Sequence, residues 1–395
     1  MRQSIQLGIC LALAVAHCAS QAPVAGTQRQ TALALEQQGK NSEAEAAWRE
    51  VLKTRPRNPE PYAHLGLLAS RQEHYKEAVP LYRKALALDP AVPGLRMNLG
   101  LALFKDGQLK AAIAEFKPLL KTQPANSADS ARLTILLGMA HYGLGEYAQA
   151  VPYLKQAAQR DAQNLPLRLT LAHSCLWAKQ YPCVMDTYHE ILTLNAESAE
   201  ADILAGEALD EMKDTTGAIE KFRAAVKANP REPDAHYGLG YLLWIQKQYV
   251  EAASEFQAEL ENNPNHVEAM LYLGDTQIEL KHPEIAEPLL ESVLRIDAGL
   301  AMAHLDLGIV YADTGRNDQA LKELKTAARL APEEVKVHWR LGRLYRSMGM
   351  KDEAKAEFDK ASSISRATDS ALVEKISGGH AKQKPAPQQA TEQEK

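Results

Sequence analysis

The 395-residue sequence predicts an all-α fold, a right-handed superhelical solenoid built from antiparallel helix pairs. Two series of small residues, one of glycines and one of alanines, recur along the chain at the same interval and in the same phase. A third series, of large apolar residues, lies four positions after the alanines. Self-similarity with a period of about 20–50 residues is typical of repeat architectures and argues against two or three independent globular domains.

The period is 34 residues along most of the chain, with one step of 38 and one double step. Glycines mark it at Gly66, Gly100, Gly138, Gly206, Gly240, Gly274, Gly308 and Gly342. Alanines mark it at Ala44, Ala78, Ala112, Ala150, Ala218, Ala252, Ala286, Ala320 and Ala354. In the double step Ala172 takes the place of the glycine and Val184 that of the alanine, so we expect a divergent repeat there and not a break.

The residue types of the repeat have a packing explanation. Small residues at the glycine and alanine positions let the two helices of a repeat approach closely. Large apolar residues then fill the space toward the neighbouring repeat, at Trp48, Tyr82, Phe116, Leu154, Tyr188, Phe222, Phe256, Leu290, Leu324 and Phe358. Prolines close several repeats, because proline can end one helix and begin the next connection, at Pro56, Pro90, Pro124, Pro230, Pro264 and Pro332.

A 34-residue helix-turn-helix with Leu-Gly, then alanine, a large apolar residue and proline is similar to the tetratricopeptide-repeat family, and residues 233–264 show it best. The resemblance implies ten repeats over residues 25–368, of which the first, fourth, fifth and eighth depart most from the pattern. Four extra residues, 127–130, are expected to lengthen a loop between repeats, with Asp129 or Ser130 capping the next helix.

The N-terminal residues 1–20 resemble a secretory signal peptide, since an apolar run from Ile5 to Ala16 follows Arg2. A short linker, 21–24, would join it to the repeats. The run is shorter than the roughly 20 apolar residues that a transmembrane helix needs. We therefore expect an exported periplasmic or extracytoplasmic protein with no transmembrane span in the mature chain; the alternative is a cytoplasmic protein.

At the other end, residues 369–377 are expected to form a short capping helix that ends at Gly378 and Gly379, because the terminal repeat of an array needs a polar outer cover. The remaining tail, 378–395, is polar with almost no apolar content. Such composition predicts disorder.

Cys175 and Cys183 are the two cysteines that follow the signal peptide. An even number of cysteines in an exported protein indicates a possible disulfide. The two residues lie at equal distances from Lys179, where the expected helix turn falls. Two buried or half-buried free thiols are the alternative.

Composition and motifs give no indication of an enzyme. The formal net charge of −5 lacks the basic footprint of a nucleic-acid-binding protein. The sequence contains no phosphate-binding glycine loop, nucleophile elbow or zinc-binding helix motif, so we expect neither catalysis nor a cofactor.

His236, His304 and His338 occupy equivalent positions in their repeats. Packed helices lie about 8–10 Å apart, which is too far for equivalent residues to share one metal ion. We therefore expect packing histidines and no metal site.

In the tetratricopeptide-repeat family the first helix of each repeat lines a groove that holds a peptide, and the resemblance implies such a groove here. Tyr237, Tyr241 and Trp244 lie at helical spacing on one stripe. An aromatic patch beside acids would suit a peptide with apolar anchors and neighbouring lysine or arginine; packing against the next helix is the alternative. The other expected groove residues are Tyr142, Trp177, Glu207, Asp210, Glu211 and Asp275.

The last repeat adds a basic stripe, in which Lys336, Arg340 and Arg343 are spaced four and three residues apart. Three cations on one helix face would hold a carboxylate or another anion. The alternative is that they form salt bridges with neighbouring helices.

Together these patterns predict a non-enzymatic scaffold that binds a protein or peptide segment and acts in the cell envelope. An accessory subunit of an envelope enzyme, secretion, pilus or glycan-synthesis system is the first alternative. A transferase or hydrolase with an unrecognised site is the second.

Overall fold

The computed structural model describes residues 25–380, and this part of the chain consists of α-helices joined by short turns, without a strand. The helices are α1 Ala25–Gln37, α2 Asn41–Thr54, α3 Pro59–Arg71, α4 Tyr75–Leu88, α5 Leu95–Lys105, α6 Leu109–Thr122, α7 Ala128–Gly143, α8 Tyr147–Arg160, α9 Leu165–Trp177, α10 Tyr181–Leu194, α11 Ala199–Glu211, α12 Thr215–Ala228, α13 Ala235–Ile245, α14 Tyr249–Asn262, α15 Val267–Glu279, α16 Pro283–Ile296, α17 Ala301–Asp313, α18 Asn317–Leu330, α19 Val335–Ser347 and α20 Lys351–His380. They form the hairpins of an all-α solenoid, as the sequence predicts.

The chain divides into two compact units, the first ending at Leu167 and the second beginning at Arg168. Within each unit the two helices of a hairpin pack on each other, and the second helix of a hairpin packs on the first helix of the next. The core of the first unit includes Tyr82 and Phe116, and that of the second includes Phe256 and Leu324, all at most 1% exposed.

In eight of the ten hairpins of the described residues, a glycine of the first helix lies against the large apolar residue sixteen positions later. A Cβ atom on Gly240 would lie 2.9 Å from Cδ1 of Phe256, and one on Gly66 would lie 2.8 Å from Cδ1 of Tyr82. The same contact occurs in the pairs Gly138–Leu154, Gly274–Leu290, Gly308–Leu324 and Gly342–Phe358. In these hairpins, the sixteen-residue interval between the glycine and the large apolar residue therefore corresponds to a contact between the two helices.

The turn inside each hairpin contains one residue in the left-handed backbone region, which closes the first helix and redirects the chain. Glycine takes this position in five hairpins, at Gly39, Gly107, Gly145, Gly315 and Gly349. In the others it is taken by Glu73, Lys179, Lys213, Lys247 and Lys281, with φ between 56° and 68°. Of these five residues, the sequence predicted a turn at Lys179 only.

The four-residue insertion at 127–130 differs from the prediction, because it extends a helix and not a loop. Ser127 is the N-cap of α7, and its side chain accepts a hydrogen bond from the backbone N–H of Ser130 at 3.0 Å. Asp129 and Ser130 lie within the first turn of a helix of 16 residues. Ser127 caps a backbone N–H of the first turn in place of the expected Asp129 or Ser130. The helix therefore begins at residue 128.

The C-terminal helix also differs from the prediction. α20 runs without a break from Lys351 to His380, so residues 369–377 continue the second helix of the last hairpin and form no separate capping helix. The helix passes through Gly378 and Gly379, since glycine lowers helix propensity by about 1 kcal/mol without blocking a hydrogen bond as proline does. The expected signal peptide and linker, 1–24, and residues 381–395 lie outside the described residues.

None of the helices in residues 25–380 has the length and apolar composition required to cross a lipid bilayer.

Candidate functional site

The first helices of successive hairpins in the second unit form one continuous surface. Helices α11, α13, α15, α17 and α19 contact one another in that order, in addition to the second helices of their hairpins. We call this surface the first-helix face. Most residues predicted to contact a partner lie on it.

Four aromatic side chains from α13 and α15, Tyr237, Tyr241, Trp244 and Tyr272, form an aromatic cluster on this face. The ring centroids of Tyr241 and Trp244 are 6.1 Å apart, and Tyr272 lies edge-on to both, at 5.2 and 5.1 Å. Tyr237 lies 6.3 Å from Tyr241 and 6.2 Å from Tyr272. All four are half-buried, so the cluster both joins two repeats and presents ring surface to solvent.

Burial raises the pKa of Tyr237 well above its ordinary value and also raises the pKa of Tyr272, and nearby tyrosines and carboxylates raise both further. Both phenol groups are consequently neutral at physiological pH. The cluster offers a partner aromatic ring surface together with hydroxyl groups that carry no charge.

Two cavities adjoin the aromatic cluster and share acidic walls. A cavity of about 540 Å³ is lined by Glu207, Asp210, Phe222, Asp234, Tyr237, Gly238, Tyr241, Leu242, His266 and Glu268. A cavity of about 320 Å³ is lined by Leu176, Trp177, Lys179, Tyr181, Glu207, Asp210 and Glu211. Glu207 and Asp210 belong to both, so the two cavities form neighbouring parts of one concave region.

The carboxylates of this region have distinct environments. Surrounding protein reduces the hydration of Glu207 and raises its pKa, to which the charge of Asp234 adds while His173 opposes the change. Glu211 accepts a hydrogen bond from the hydroxyl of Tyr181 at 3.2 Å. The region therefore combines aromatic walls with negative charge, which favours a ligand that has both an apolar and a cationic group.

Trp177 lies at the edge of the smaller cavity with 64% of its surface exposed, the second highest value among the large hydrophobic residues of the described part of the chain. It ends α9, immediately before the turn to α10. Cys175 and Cys183 form a disulfide across this turn, with their Cα atoms 5.8 Å apart. The bond ties the segment that carries Trp177 to the next helix.

Two further carboxylates, Asp275 on α15 and Asp306 on α17, lie beyond the aromatic cluster and are 4% and 0% exposed. We call them the buried acid pair. Asp275 Oδ2 accepts a hydrogen bond from Nε1 of Trp244 at 2.7 Å. Nζ of Lys336, on α19, lies 3.8 Å from Asp275 Oδ1 and 4.0 Å from Asp306 Oδ1. The first-helix face thus continues from aromatic to acidic character across three hairpins.

The three cations of the last repeat, Lys336, Arg340 and Arg343, have different neighbours. Lys336 extends toward the buried acid pair, whereas Arg340 and Arg343 line a separate cavity of about 170 Å³ that also contains Asp313. The guanidinium of Arg343 lies 4.9 Å from the ring centroid of Trp339. Lys336 thus makes the salt bridges with neighbouring helices that the sequence offered as the alternative to an anion site.

Family models described as "Tetratricopeptide repeat" match residues 29–93, 64–127, 97–166 and 203–266, and another of the same description matches 141–204. A model described as "Tetratricopeptide repeat-like domain" matches residues 245–376. The chain belongs to the tetratricopeptide-repeat family. No curated protein matches it.

Several solved structures are similar to this tetratricopeptide-repeat protein. MamA from Desulfovibrio magneticus RS-1 is 23% identical and matches over 43% of this chain and 97% of its own, with a TM-score of 0.40. YrrB, described as a TPR protein with an unusual peptide-binding site, is 22% identical. It matches over 48% of this chain and 97% of its own, with a TM-score of 0.40. PilF from Pseudomonas aeruginosa is 17% identical. It matches over 51% of this chain and 90% of its own, with a TM-score of 0.43.

The equivalent histidines of the repeat pair with glutamates within their own hairpins. In each case Nδ1 lies 2.6 Å from Oε2 of the glutamate nineteen residues later, in the pairs His236–Glu255, His304–Glu323 and His338–Glu357. These contacts join the first helix of a hairpin to the second. They give the histidines a structural role in the repeat.

Asp234, Glu259 and His266 bring possible metal-ligating atoms within 4.8 Å of one another. His266 Nδ1, however, accepts the backbone N–H of Ala269 at 3.2 Å as the N-cap of α15. The ring proton of the neutral histidine is then on Nε2, which donates to Asp234 Oδ1 at 3.0 Å. A metal ion at Nε2 would require the other tautomer and would remove the cap, so we assign His266 to helix capping.

Tyr142, the remaining predicted groove residue, belongs to the first unit and is half-buried. Its ring packs edge-on against Tyr147 of the same hairpin at 5.8 Å. Sequence reasoning missed Tyr272 and His266, which complete the aromatic cluster and the larger cavity. Tyr272 lies 35 residues after Tyr237, and scanning for aromatic residues at one repeat length plus one position would have found it.

Proposed function

We propose that this tetratricopeptide-repeat protein is a non-enzymatic scaffold that binds a peptide or protein segment on the first-helix face of its second unit. The observation that carries the proposal is the continuous region formed by the aromatic cluster and the two cavities of about 540 and 320 Å³. Ligand sites are typically clefts of about 300–1,000 Å³ with apolar walls and a few polar groups, which describes this region.

The walls specify the chemistry of the segment. Half-buried tyrosine and tryptophan side chains are the usual anchors of binding energy at protein interfaces, so we expect the segment to insert an aromatic or large apolar side chain beside Tyr241. Glu207, Asp210 and Glu268 would surround it with negative charge. Complementarity then requires a lysine or arginine near the anchor, which also accelerates association.

We further propose that the protein acts in the cell envelope. The signal-peptide pattern of residues 1–20 supports this location, and the Cys175–Cys183 disulfide is of a kind that persists in oxidising compartments. Fractionation of the native host, followed by N-terminal sequencing, tests the location. A chain that starts near residue 21 in an envelope fraction is expected, and a chain that starts at Met1 in the cytoplasmic fraction would contradict it.

Binding is tested by affinity selection of a random peptide library on the full chain and on a Tyr241→Ala/Trp244→Ala variant. Selected peptides should contain an aromatic residue near a lysine or arginine and should bind the variant at least tenfold more weakly, since hot-spot truncations cost about 2 kcal/mol or more. Trp339→Ala, which removes a tryptophan 46% exposed on α19, is the matched control and should bind as the wild type does. Equal affinity of all three proteins would place binding elsewhere.

A further inference from the structure

The buried acid pair is not explained by the packing of the solenoid alone. Among the described residues, neither oxygen of Asp306 has a hydrogen-bond partner, although its side chain is 0% exposed. A buried carboxylate without partners is costly. Asp275, in contrast, accepts the Trp244 hydrogen bond on Oδ2, which leaves its Oδ1 facing the same region as Asp306.

Lys336 compensates the pair incompletely. Its Nζ is 3.8 Å from Asp275 and 4.0 Å from Asp306, both beyond hydrogen-bond distance, and 47% of its side chain is exposed. An exposed lysine side chain loses conformational entropy when it is held in one position. Lys336 therefore reduces the local negative charge but donates no hydrogen bond to either carboxylate in this arrangement.

The charges around the pair favour an additional cation. Asp275 and Glu279 both raise the pKa of Asp306 after burial has done so, while Lys336 and Arg340 oppose them. A cation with several donors, placed between Asp275 and Asp306, would supply the hydrogen bonds that Asp306 lacks. It would enter from the direction of Lys336, the half-exposed side of the pair.

The geometry favours a guanidinium over an ammonium group. A guanidinium presents five N–H donors in a planar fork that can address two carboxylates at once, and it is more weakly hydrated than an ammonium. The indole of Trp244 is hydrogen-bonded to Asp275, so an aromatic ring adjoins the site. The N–H edge of the indole faces Asp275, so the preference for a guanidinium rests on its five donors and its weaker hydration.

We propose that the buried acid pair is the binding site for an arginine side chain of the bound segment, and that Lys336 occupies the site until the arginine displaces it. This inference rests on the proposed function, since it names a side chain of the segment that the first-helix face binds. The hydrogen bond between Trp244 and Asp275 connects the two parts of the surface. An arginine in the acid pair would consequently lie next to the residue that packs on the aromatic cluster.

The test uses peptides selected from the random library on the full wild-type chain, each compared with a copy in which arginine is replaced by citrulline. Citrulline keeps the shape of arginine and loses its charge. We expect wild-type protein to bind the citrulline copy at least tenfold more weakly, because citrulline cannot form the charge-assisted hydrogen bonds that a guanidinium forms with a carboxylate. In Asp306→Asn, which removes one of the two carboxylates and keeps Asp275, the difference in affinity between the two copies should shrink severalfold.

Lys336→Ala should change the affinity for the arginine peptide in the opposite direction to Asp306→Asn. Removal of the competing cation should raise the affinity for the arginine peptide severalfold and leave that for the citrulline copy within about twofold. Because Lys336 is half-exposed, this variant and the citrulline comparison test the site even if Asp306→Asn does not fold. Arg343→Ala, which removes a cation of α19 from a different cavity, is the matched control and should not raise the affinity.

The outcomes separate this inference from the function on which it rests. Selected peptides that depend on Tyr241 and Trp244 but bind equally well with citrulline, and equally well to Lys336→Ala, would overturn the arginine site and leave the peptide-binding scaffold in place. A selection that yields no peptide dependent on the first-helix face would overturn both.

Discussion

The indole Nε1–H of Trp244 donates a hydrogen bond of 2.7 Å to Oδ2 of Asp275, which is 4% exposed and lies on the first helix of the next repeat. The hydrogen bond fixes the orientation of the half-buried tryptophan. It also gives the buried carboxylate of Asp275 a donor. It makes the aromatic cluster and the buried acid pair parts of one structure. A change at either residue should affect the other.

Trp244→Phe tests this relationship, because phenylalanine retains an aromatic ring and removes the N–H donor. We expect the free energy of unfolding to fall by about 1–3 kcal/mol, the cost of leaving a buried acceptor without its partner. Urea denaturation followed by circular dichroism measures it. Trp339→Phe, at a site 46% exposed, should leave stability unchanged. Equal stability of Trp244→Phe and wild type would show that the hydrogen bond contributes nothing net.

The buried acid pair makes stability depend on pH in a defined direction. The pKa of Asp306 is raised well above its usual range by burial, and Asp275 and Glu279 add to the shift while Lys336 and Arg340 oppose it. Unfolded aspartate has a pKa of about 3.9, so above this pH the folded chain retains a proton that the unfolded chain has released. The contribution of Asp306 to stability is therefore greatest below about pH 4 and decreases as pH rises toward the folded-state pKa.

Asp306→Asn removes this dependence, since an amide does not titrate. The stability of the variant relative to wild type should rise steadily as the pH of the urea titration increases from 4. Asp359→Asn, an exposed carboxylate on α20, serves as the control and should show no such trend. A variant whose relative stability is constant with pH would mean that Asp306 is already ionised and satisfied in the folded chain.

The close approach of Gly240 to Phe256 predicts the effect of a larger side chain. A Cβ at Gly240 would lie 2.9 Å from Phe256 Cδ1 and 3.3 Å from Glu255 Cβ. Gly240→Leu should therefore destabilise the second unit by about 1–3 kcal/mol through overpacking. The double variant Gly240→Leu/Phe256→Ala should lose less than the sum of the two single changes, because the ring that obstructs leucine is absent. Additive losses would disprove the contact.

The disulfide predicts both a chemical and a thermodynamic result. Without reduction, Cys175 and Cys183 should remain unmodified by iodoacetamide in unfolded protein, and mass spectrometry should find the intact bond. Cys183→Ser should lower the stability of oxidised protein by an amount on the order of 2–4 kcal/mol, the usual range for a native disulfide. Reduced wild type should match the variant. Alkylation of both cysteines in unreduced protein would support the two free thiols considered from the sequence.

Most of the fold could be predicted from the sequence because residues that contact each other recur at fixed intervals along the chain. Gly240 and Phe256 lie sixteen residues apart in the chain and touch in the structure, and the same interval recurs in other hairpins. The start of α7 could not be placed as well, because Ser127, Asp129 and Ser130 are all competent N-cap residues. Choosing among them depends on backbone conformation, which the residue types alone do not determine.

The candidate site was predicted only in part, for a related reason. Helical spacing places Tyr241 and Trp244 on one stripe, but it does not state what each side chain contacts on the next helix. Lys336 reaches acids that precede it by 61 and 30 residues, Asp275 and Asp306. No local sequence pattern encodes contacts over such distances along the chain. The acid pair is formed by the packing of three successive repeats, which the sequence alone does not show.

The hairpin turns give a last prediction that depends on backbone conformation alone. Lys247 has a φ of +61° in the turn between α13 and α14, a conformation that costs a side-chain-bearing residue about 1–2 kcal/mol. Lys247→Gly should raise the free energy of unfolding by about 0.5–1 kcal/mol, since glycine removes this cost but adds entropy to the unfolded chain. The reciprocal change, Gly315→Ala, introduces a side chain at φ +77° where nothing lies within 4 Å of the new Cβ, and it should lower stability by a similar amount. Urea denaturation of the two variants measures both effects. If both shifted stability in the same direction, left-handed backbone strain would not be the quantity that limits these turns.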